Sequence, residues 1–155
     1  MQAMDFYTGH AFDAYTVLGA HPGPEGTRFA VWAPSAQKVE VVGDWAPDGA
    51  AMARDTEISG VWSCLCPEAE KGMPYFYRVT GADGSVTDHC DPCGFAMTLR
   101  PDGCSIIAGL PDYAFTDGAW MAARTKNFDS PLNIYELHAA SWRRHPDGSW
   151  YTYDD

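Results

Sequence analysis

The residues best suited to chemistry in this 155-residue chain are its five cysteines. Cys64 and Cys66 form C-x-C, Cys90 and Cys93 form C-x-x-C, and Cys104 stands alone. Four thiolates can hold a structural zinc ion. C-x-C is an unusual half-site, because strand positions two apart share one face. An odd count without a secretion signal fits reduced cytosolic thiols better. The "CDPC" run lacks the βαβ surroundings of a dithiol redox site. The expectation is therefore no metal and no cofactor.

Charge narrows the ligand class. Asp and Glu total 21 against 10 Lys and Arg, a net charge of -11. Nucleic acid requires cations to neutralise phosphates, so it is excluded as a partner, as is an anionic membrane surface. A neutral, hydroxyl-rich ligand such as carbohydrate suits a chain rich in Trp and Tyr. The N-terminal "MQAMDFYTGHAFDAY" has no basic start and no long apolar run, so no signal peptide is read there. No segment reaches the roughly 20 apolar residues of a membrane span. A cytoplasmic location is expected.

The elements that must position any site follow from periodicity. Phe12, Tyr15 and Leu18 recur every three residues and predict a short helix over 11–18, stopped at Gly19. "GAHPGPEG" then reads as a loop. "GTRFAVWAP" sets Phe29 and Val31 against Ala30 and Trp32. "KVEVVGDW" turns Val39 and Val41 inward. "GVWSCLCP" alternates Trp62, Cys64 and Cys66 with Val61, Ser63 and Leu65. "PYFYRVTGADGSV" groups Tyr75, Tyr77 and Val79 away from Phe76 and Arg78, and "GADG" turns into a return strand at 85–87. "CSIIAG" can close the sheet. Short strands divided by turn residues predict an all-β antiparallel sandwich. Residues 111–130 read as a linker with a helix near Ala119–Arg124 and Asp117 as its N-cap. "LNIYELHAA" holds strand formers without alternation, as in a strand buried on both faces.

In this order, "YTVLGAHP", "GTRFAVWAPSAQKVEVVGDW", "SGVWSCLCP", "YFYRVTGADG", "DPCGFAMTLRP" and "PLNIYELHAASWRR" carry a resemblance. From about residue 14 onward the chain resembles the N-terminal part of bacterial 1,4-α-glucan (glycogen) branching enzymes of glycoside hydrolase family 13. Debranching enzymes and trehalohydrolases share the sandwich and "IYELH", while "SWRR" and "LGAHP" resemble the branching enzymes. The resemblance implies four segments. Residues 1–19 are an extension. Residues 20–110 are an immunoglobulin-like carbohydrate-binding module of family 48. Residues 111–130 are the linker, and residues 131–155 are the first strand and loop of a truncated (β/α)8 barrel.

The resemblance also implies a retaining reaction. An α-1,4 bond is cleaved and the chain passes through a glycosyl-enzyme ester to a 6-hydroxyl. Its Asp nucleophile, Glu acid/base and stabilising Asp belong to later barrel strands. Asp129, Glu136, Asp147, Asp154 and Asp155 match no such motif, so no catalytic residue is expected in this chain. His138 and Trp142 are candidates for contacts at the barrel mouth.

Glucan-binding modules of this kind stack sugar on a Trp after a "GDFNxW"-like turn. Here the turn reads "GDWAPDG", so Trp45 stands where the family has an inward Phe, and the platform Trp is missing. Phe76 replaces a Lys of the "YKY"-like strand. Trp45 and Phe76 are thus the candidate α-glucan contacts. A stand-alone glucan-binding module, or the same module of a debranching enzyme or trehalohydrolase, is the alternative.

Overall fold

The computed structural model describes residues 2–99, 101, 103–109, 114–125 and 128–152, with the side chains of residues 139 and 140 outside that description. The chain divides into two compact units, residues 1–112 and 113–155, and each is described by itself.

The first unit is an antiparallel β-sandwich. Its strands are β1 (Gly19–Gly23), β2 (Gly26–Trp32), β3 (Lys38–Gly43), β4 (Ala46–Ala51), β5 (Ala53–Arg54), β6 (Val61–Cys66), β7 (Pro74–Thr80), β8 (Val86–His89), β9 (Ala96–Met97) and β10 (Ser105–Ile106). One sheet runs β1-β2-β6-β5. The other runs β4-β3-β7-β10-β9, with β8 also on β7. Period-two alternation in β2, β3, β6 and β7 sends one side-chain set between the sheets. Phe29, Val31, Val39, Val41, Trp62, Cys66, Tyr75 and Tyr77 meet there with Ile107. Burying such side chains contributes roughly 1.5–3 kcal/mol each. Two of the polar groups drawn in with them find backbone acceptors. Thr27 Oγ1 donates to Ala69 O at 2.6 Å, and Trp62 Nε1 to Ala33 O at 3.0 Å.

Two strands form where turns were expected. The "GAHPG" segment pairs with β2 from Gly19↔Ala30 to Gly23↔Gly26, leaving only Pro24 and Glu25 as the hairpin loop. Gly26 has φ +110, a left-handed conformation that an L side chain avoids. "APDGAA" likewise pairs with β3, with a register shift between Val41 and Gly43 and Gly43↔Ala46 at the turn. Neither segment alternates, so the ladder imposed by a stronger neighbour makes the strand.

The helix expected over 11–18 contracts to a single 3₁₀ turn, Ala14–Thr16. Leu18 is buried, but Phe12 stays 86% exposed, so the three-residue spacing never becomes a packed face. A helix not foreseen, α1 (Ala3–Tyr7), lies further upstream. Phe6, Ala3 and Ala14 cover Leu18, Ala30, Ile58 and Val61 on the outer side of the first sheet. Phe6 meets Trp32 edge to face at 5.6 Å, and the Tyr7 hydroxyl donates to Ser59 O at 2.9 Å.

The second unit contains α2 (Gly118–Ala123) and α3 (Ala139–Trp142). Asp117 does precede α2, but its side chain makes no capping hydrogen bond. Residues 131–138, read as a barrel strand, have no ladder partner among the described residues. Leu132 and Ile134 are 80% and 83% exposed there. A segment without a neighbouring strand leaves its backbone groups to water, and no ladder forms. Beyond α3, Arg144 and Trp150 bridge antiparallel around a turn at Asp147 and Gly148.

Candidate functional site

The outer face of the second sheet carries a groove of about 300 Å³, lined by Val42, Gly43, Asp44, Pro47, Phe76 and Arg78, among others. Strand alternation builds it. Tyr75 and Tyr77 point into the core, so Phe76 and Arg78 must point out. Val42 on β3 stands directly opposite Phe76. The Arg78 guanidinium lies over the Phe76 ring, 5.5 Å from its centroid. Asp88, opposite Arg78 on β8, holds that guanidinium through Nε at 2.9 Å and Nη2 at 3.1 Å. The result is a flat apolar ring beside a fixed cation and two carboxylates, Asp44 and Asp88. Such a surface can stack on the C–H face of a sugar and hydrogen-bond its hydroxyls. The "GADG" hairpin register was the available signal for Arg78 and Asp88, since it sets them opposite each other.

Trp45 is on the other side of the sheet. It sits in the two-residue turn between β3 and β4, and its ring folds inward onto Phe29 at 5.8 Å with planes 14° apart. A Cβ on Gly43 would lie 2.2 Å from that ring, so only glycine lets it fold there. Trp45 and Phe76 are therefore not brought together.

Behind the groove, Asp91 ties the core. The hydroxyls of Tyr75 and Tyr77 donate to its Oδ2 at 2.6 and 3.2 Å. Its Oδ1 accepts from Cys93 N at 2.8 Å, and its own backbone N–H donates to Ser105 Oγ at 2.8 Å. Burial, then the Asp91 charge, pushes both phenols well above their usual range.

His138 precedes α3 and Trp142 ends it, in the second unit. His138 Nδ1 and Ser141 Oγ are 2.6 Å apart, and Trp142 meets Tyr135 edge to face at 6.1 Å. Asp147 accepts from Ser149 N and Oγ at 2.9 and 2.7 Å, and these bonds hold its carboxyl below the usual range. That is a turn role. Glu136 is exposed. Asp154 and Asp155 lie outside the described residues.

The cysteines disperse. Cys64 and Cys66 sulfurs are 3.8 Å apart, and burial first, then Cys66, pushes the Cys64 thiol up to about 12. Cys90 bonds to Gly103 O, whereas Cys93 packs against the Leu18 cluster. Among the described residues no group of three or more His, Cys, Asp or Glu is placed to hold a metal ion. Nor is any described helix long and apolar enough to cross a membrane.

Residues 17–94 match the family Carbohydrate-binding module 48 (Isoamylase N-terminal domain). The chain is 40% identical over 158 residues to the 1,4-alpha-glucan branching enzyme GlgB of Marinobacter nauticus, covering 96% of this chain and 25% of that one. It is 46% identical over 140 residues to GlgB of Nocardia farcinica, covering 82% and 18%. It thus spans about a quarter or less of the length of these relatives. Among solved structures, ligand-free PulA of Klebsiella pneumoniae aligns with TM-score 0.50 at 28% identity, over 63% of this chain and 10% of that one. The pullulanase of Anoxybacillus sp. LM18-11, at 20% identity and TM-score 0.50 over 64% and 15%, shares the fold. With the family match running from β1 through β8, and so over Phe76 and Arg78, the chain belongs to the carbohydrate-binding module 48 family.

Proposed function

We propose that the chain is the N-terminal, α-glucan-facing module of a cytoplasmic glycogen branching enzyme. The observation that carries this reading is the groove at Phe76, with Arg78 fixed over the ring by Asp88. The likeness to two branching enzymes along most of the chain supports the parent activity, cleavage of α-1,4-glucan and transfer to a 6-hydroxyl. In that reading residues 20–110 bind or orient glucan, 111–130 link, and 131–155 enter the catalytic barrel. Catalysis belongs to carboxylates of that barrel outside this chain. His138 and Trp142 then stand near the barrel mouth. Phe76 is the sugar-facing aromatic, and Trp45 shapes the turn beside it. The acidic balance of -11 sets nucleic acid and anionic membranes aside as partners.

Native gels cast with glycogen test the binding. Retardation of the wild type, lost in Phe76→Ala, is the expected result; an unretarded wild type overturns it. Incubation with amylose should leave the iodine colour intact, because the chain alone lacks the catalytic set. A second reading, a module that orients the barrel without holding sugar, is favoured by the inward Trp45 ring, which leaves Phe76 as the groove's outward aromatic, since Tyr75 behind it is buried in the core.

A further inference from the structure

One edge of β7 is shared by two strands that run in line. β8 pairs with it from Thr80 to Tyr77, ending at His89↔Tyr77. β10 takes over at Ser105↔Tyr75. The residue between, Phe76, faces the place where the chain leaves one strand and enters the next. Cys90 follows His89 and Cys104 precedes Ser105, so both cysteines arrive at the same position opposite Phe76. Two further contacts draw the ends together. The Cys90 thiol donates to Gly103 O, whose carbonyl carbon is bonded to the Cys104 nitrogen. The next pair along, Asp91 and Ser105, is joined by the 2.8 Å bond from Asp91 N to Ser105 Oγ. Cys90 is exposed, and Cys104 is half-buried on the groove wall beside Phe76.

We propose that Cys90 and Cys104 are a peroxide-oxidised thiol pair whose disulfide staples β8 to β10 at the wall of the Phe76 groove. A disulfide needs Cα atoms roughly 4.4–6.8 Å apart, and the contacts from Cys90 to Gly103 and from Asp91 to Ser105 tie the two chain pieces together on either side of this pair. Access admits the oxidant at Cys90. Its thiolate attacks hydrogen peroxide, the O–O bond breaks, and the sulfur becomes a sulfenic acid while hydroxide leaves and is protonated to water. The Cys104 thiolate then attacks that sulfur. The S–S bond forms, the S–O bond breaks, and the departing hydroxide takes the proton that Cys104 released, leaving as a second water. The remaining thiols compete poorly. Cys66 is buried, and burial holds Cys64 near 12 and raises Cys93, so neither supplies much thiolate at neutral pH. The C-x-x-C neighbours do not pair, because Cys93 turns to the opposite sheet. The effect on glucan rests on the groove reading; the disulfide itself does not.

The test oxidises the full chain with hydrogen peroxide, blocks the remaining thiols and maps peptides without reduction. Cleavage before Asp88, Asp91, Asp102 and Asp112 places Cys90 and Cys104 on two fragments and Cys93 on a third. The expected product is those two fragments joined, lost in Cys90→Ser and in Cys104→Ser and retained in Cys93→Ser. A Cys90–Cys93 link, or Cys90 oxidised with no bond to Cys104, overturns the proposal. In glycogen gels the oxidised chain should lose the retardation of the reduced chain. Equal retardation of both overturns the expectation that the staple alters the groove wall enough to weaken sugar binding. If the reduced chain is not retarded, the glucan reading fails, and the peptide map alone decides the thiol pair.

Discussion

Trp45 lies almost parallel to Phe29, their ring centroids 5.8 Å apart, and the space for this stacking is the missing side chain of Gly43. The stacking closes one end of the core. It also leaves the Trp45 indole nitrogen buried without a hydrogen-bond partner among the described residues.

Gly43→Ala should therefore destabilise the sandwich by about 1–3 kcal/mol, the usual result of forcing atoms into a packed core. Trp45→Phe should stay within about 1 kcal/mol of wild type, since the lost ring area is offset by removing an unpaired buried donor. Urea unfolding followed by circular dichroism reads both. A neutral Gly43→Ala would mean that the Trp45 ring has somewhere else to go.

Phe76 and Arg78 should separate binding from folding. Both project from the outer face of β7, so Phe76→Ala and Arg78→Ala should each reduce glycogen retention while the urea midpoint stays close to wild type. Trp45→Ala should do the reverse, lowering the midpoint through lost core packing. Retention that follows the midpoint in all three variants would assign the groove to structure alone.

The buried phenols predict an alkaline limit. Tyr75 and Tyr77 have folded pKa values raised above the unfolded value of 10.0, by burial and then by Asp91. A raised folded value means that the native state keeps its protons where the unfolded chain gives them up. The stabilisation is complete below pH 10 and is lost as pH rises above it. Urea midpoints should therefore hold up to about pH 10, where ordinary phenols ionise, and fall progressively above it. Tyr75→Phe should flatten that fall. It should also remove about 1–3 kcal/mol at neutral pH by taking a donor from buried Asp91.

Amide exchange should divide residues 131–138 from the sandwich. Those residues lack a ladder, so their amides should exchange rapidly. Amides of β3 and β7, paired from Lys38↔Thr80 to Gly43↔Tyr75, should be among the slowest. Slow exchange throughout 131–138 would require a partner strand.

Side-chain alternation made much of the sandwich readable. Phe29, Val31, Val39, Val41, Tyr75 and Tyr77 face the core as their spacing predicts. β1 and β4 escaped notice because "GAHPG" and "APDGAA" carry no alternation, and only their neighbours' free edges define them. α1 escaped because its packing surface is the outer side of a sheet, which a local pattern does not announce. At the groove, Phe76 was legible as an outward aromatic. Arg78 and Asp88 were not singled out, since their pairing depends on counting register across the Gly81–Ser85 turn. The direction of the Trp45 ring depends on Gly43, two residues earlier, and on a neighbour sixteen residues away in sequence.

The takeover of β7's edge by β10 where β8 ends makes β7 a splint. It aligns two separate pieces of chain end to end, and each piece is registered by its own bonds to the splint. The excursion from Cys90 to Cys104 adds β9 to the far side of β10 but does not set the register of either piece on β7. Its connections on either side of β9 can change in length without shifting a pair on β7, provided that Asp91 and Ser105 still meet at the join and β9 keeps its pairing with β10. The groove is thus built beside connections whose length β7 does not fix, which is where one scaffold can be adapted to differently shaped ligands.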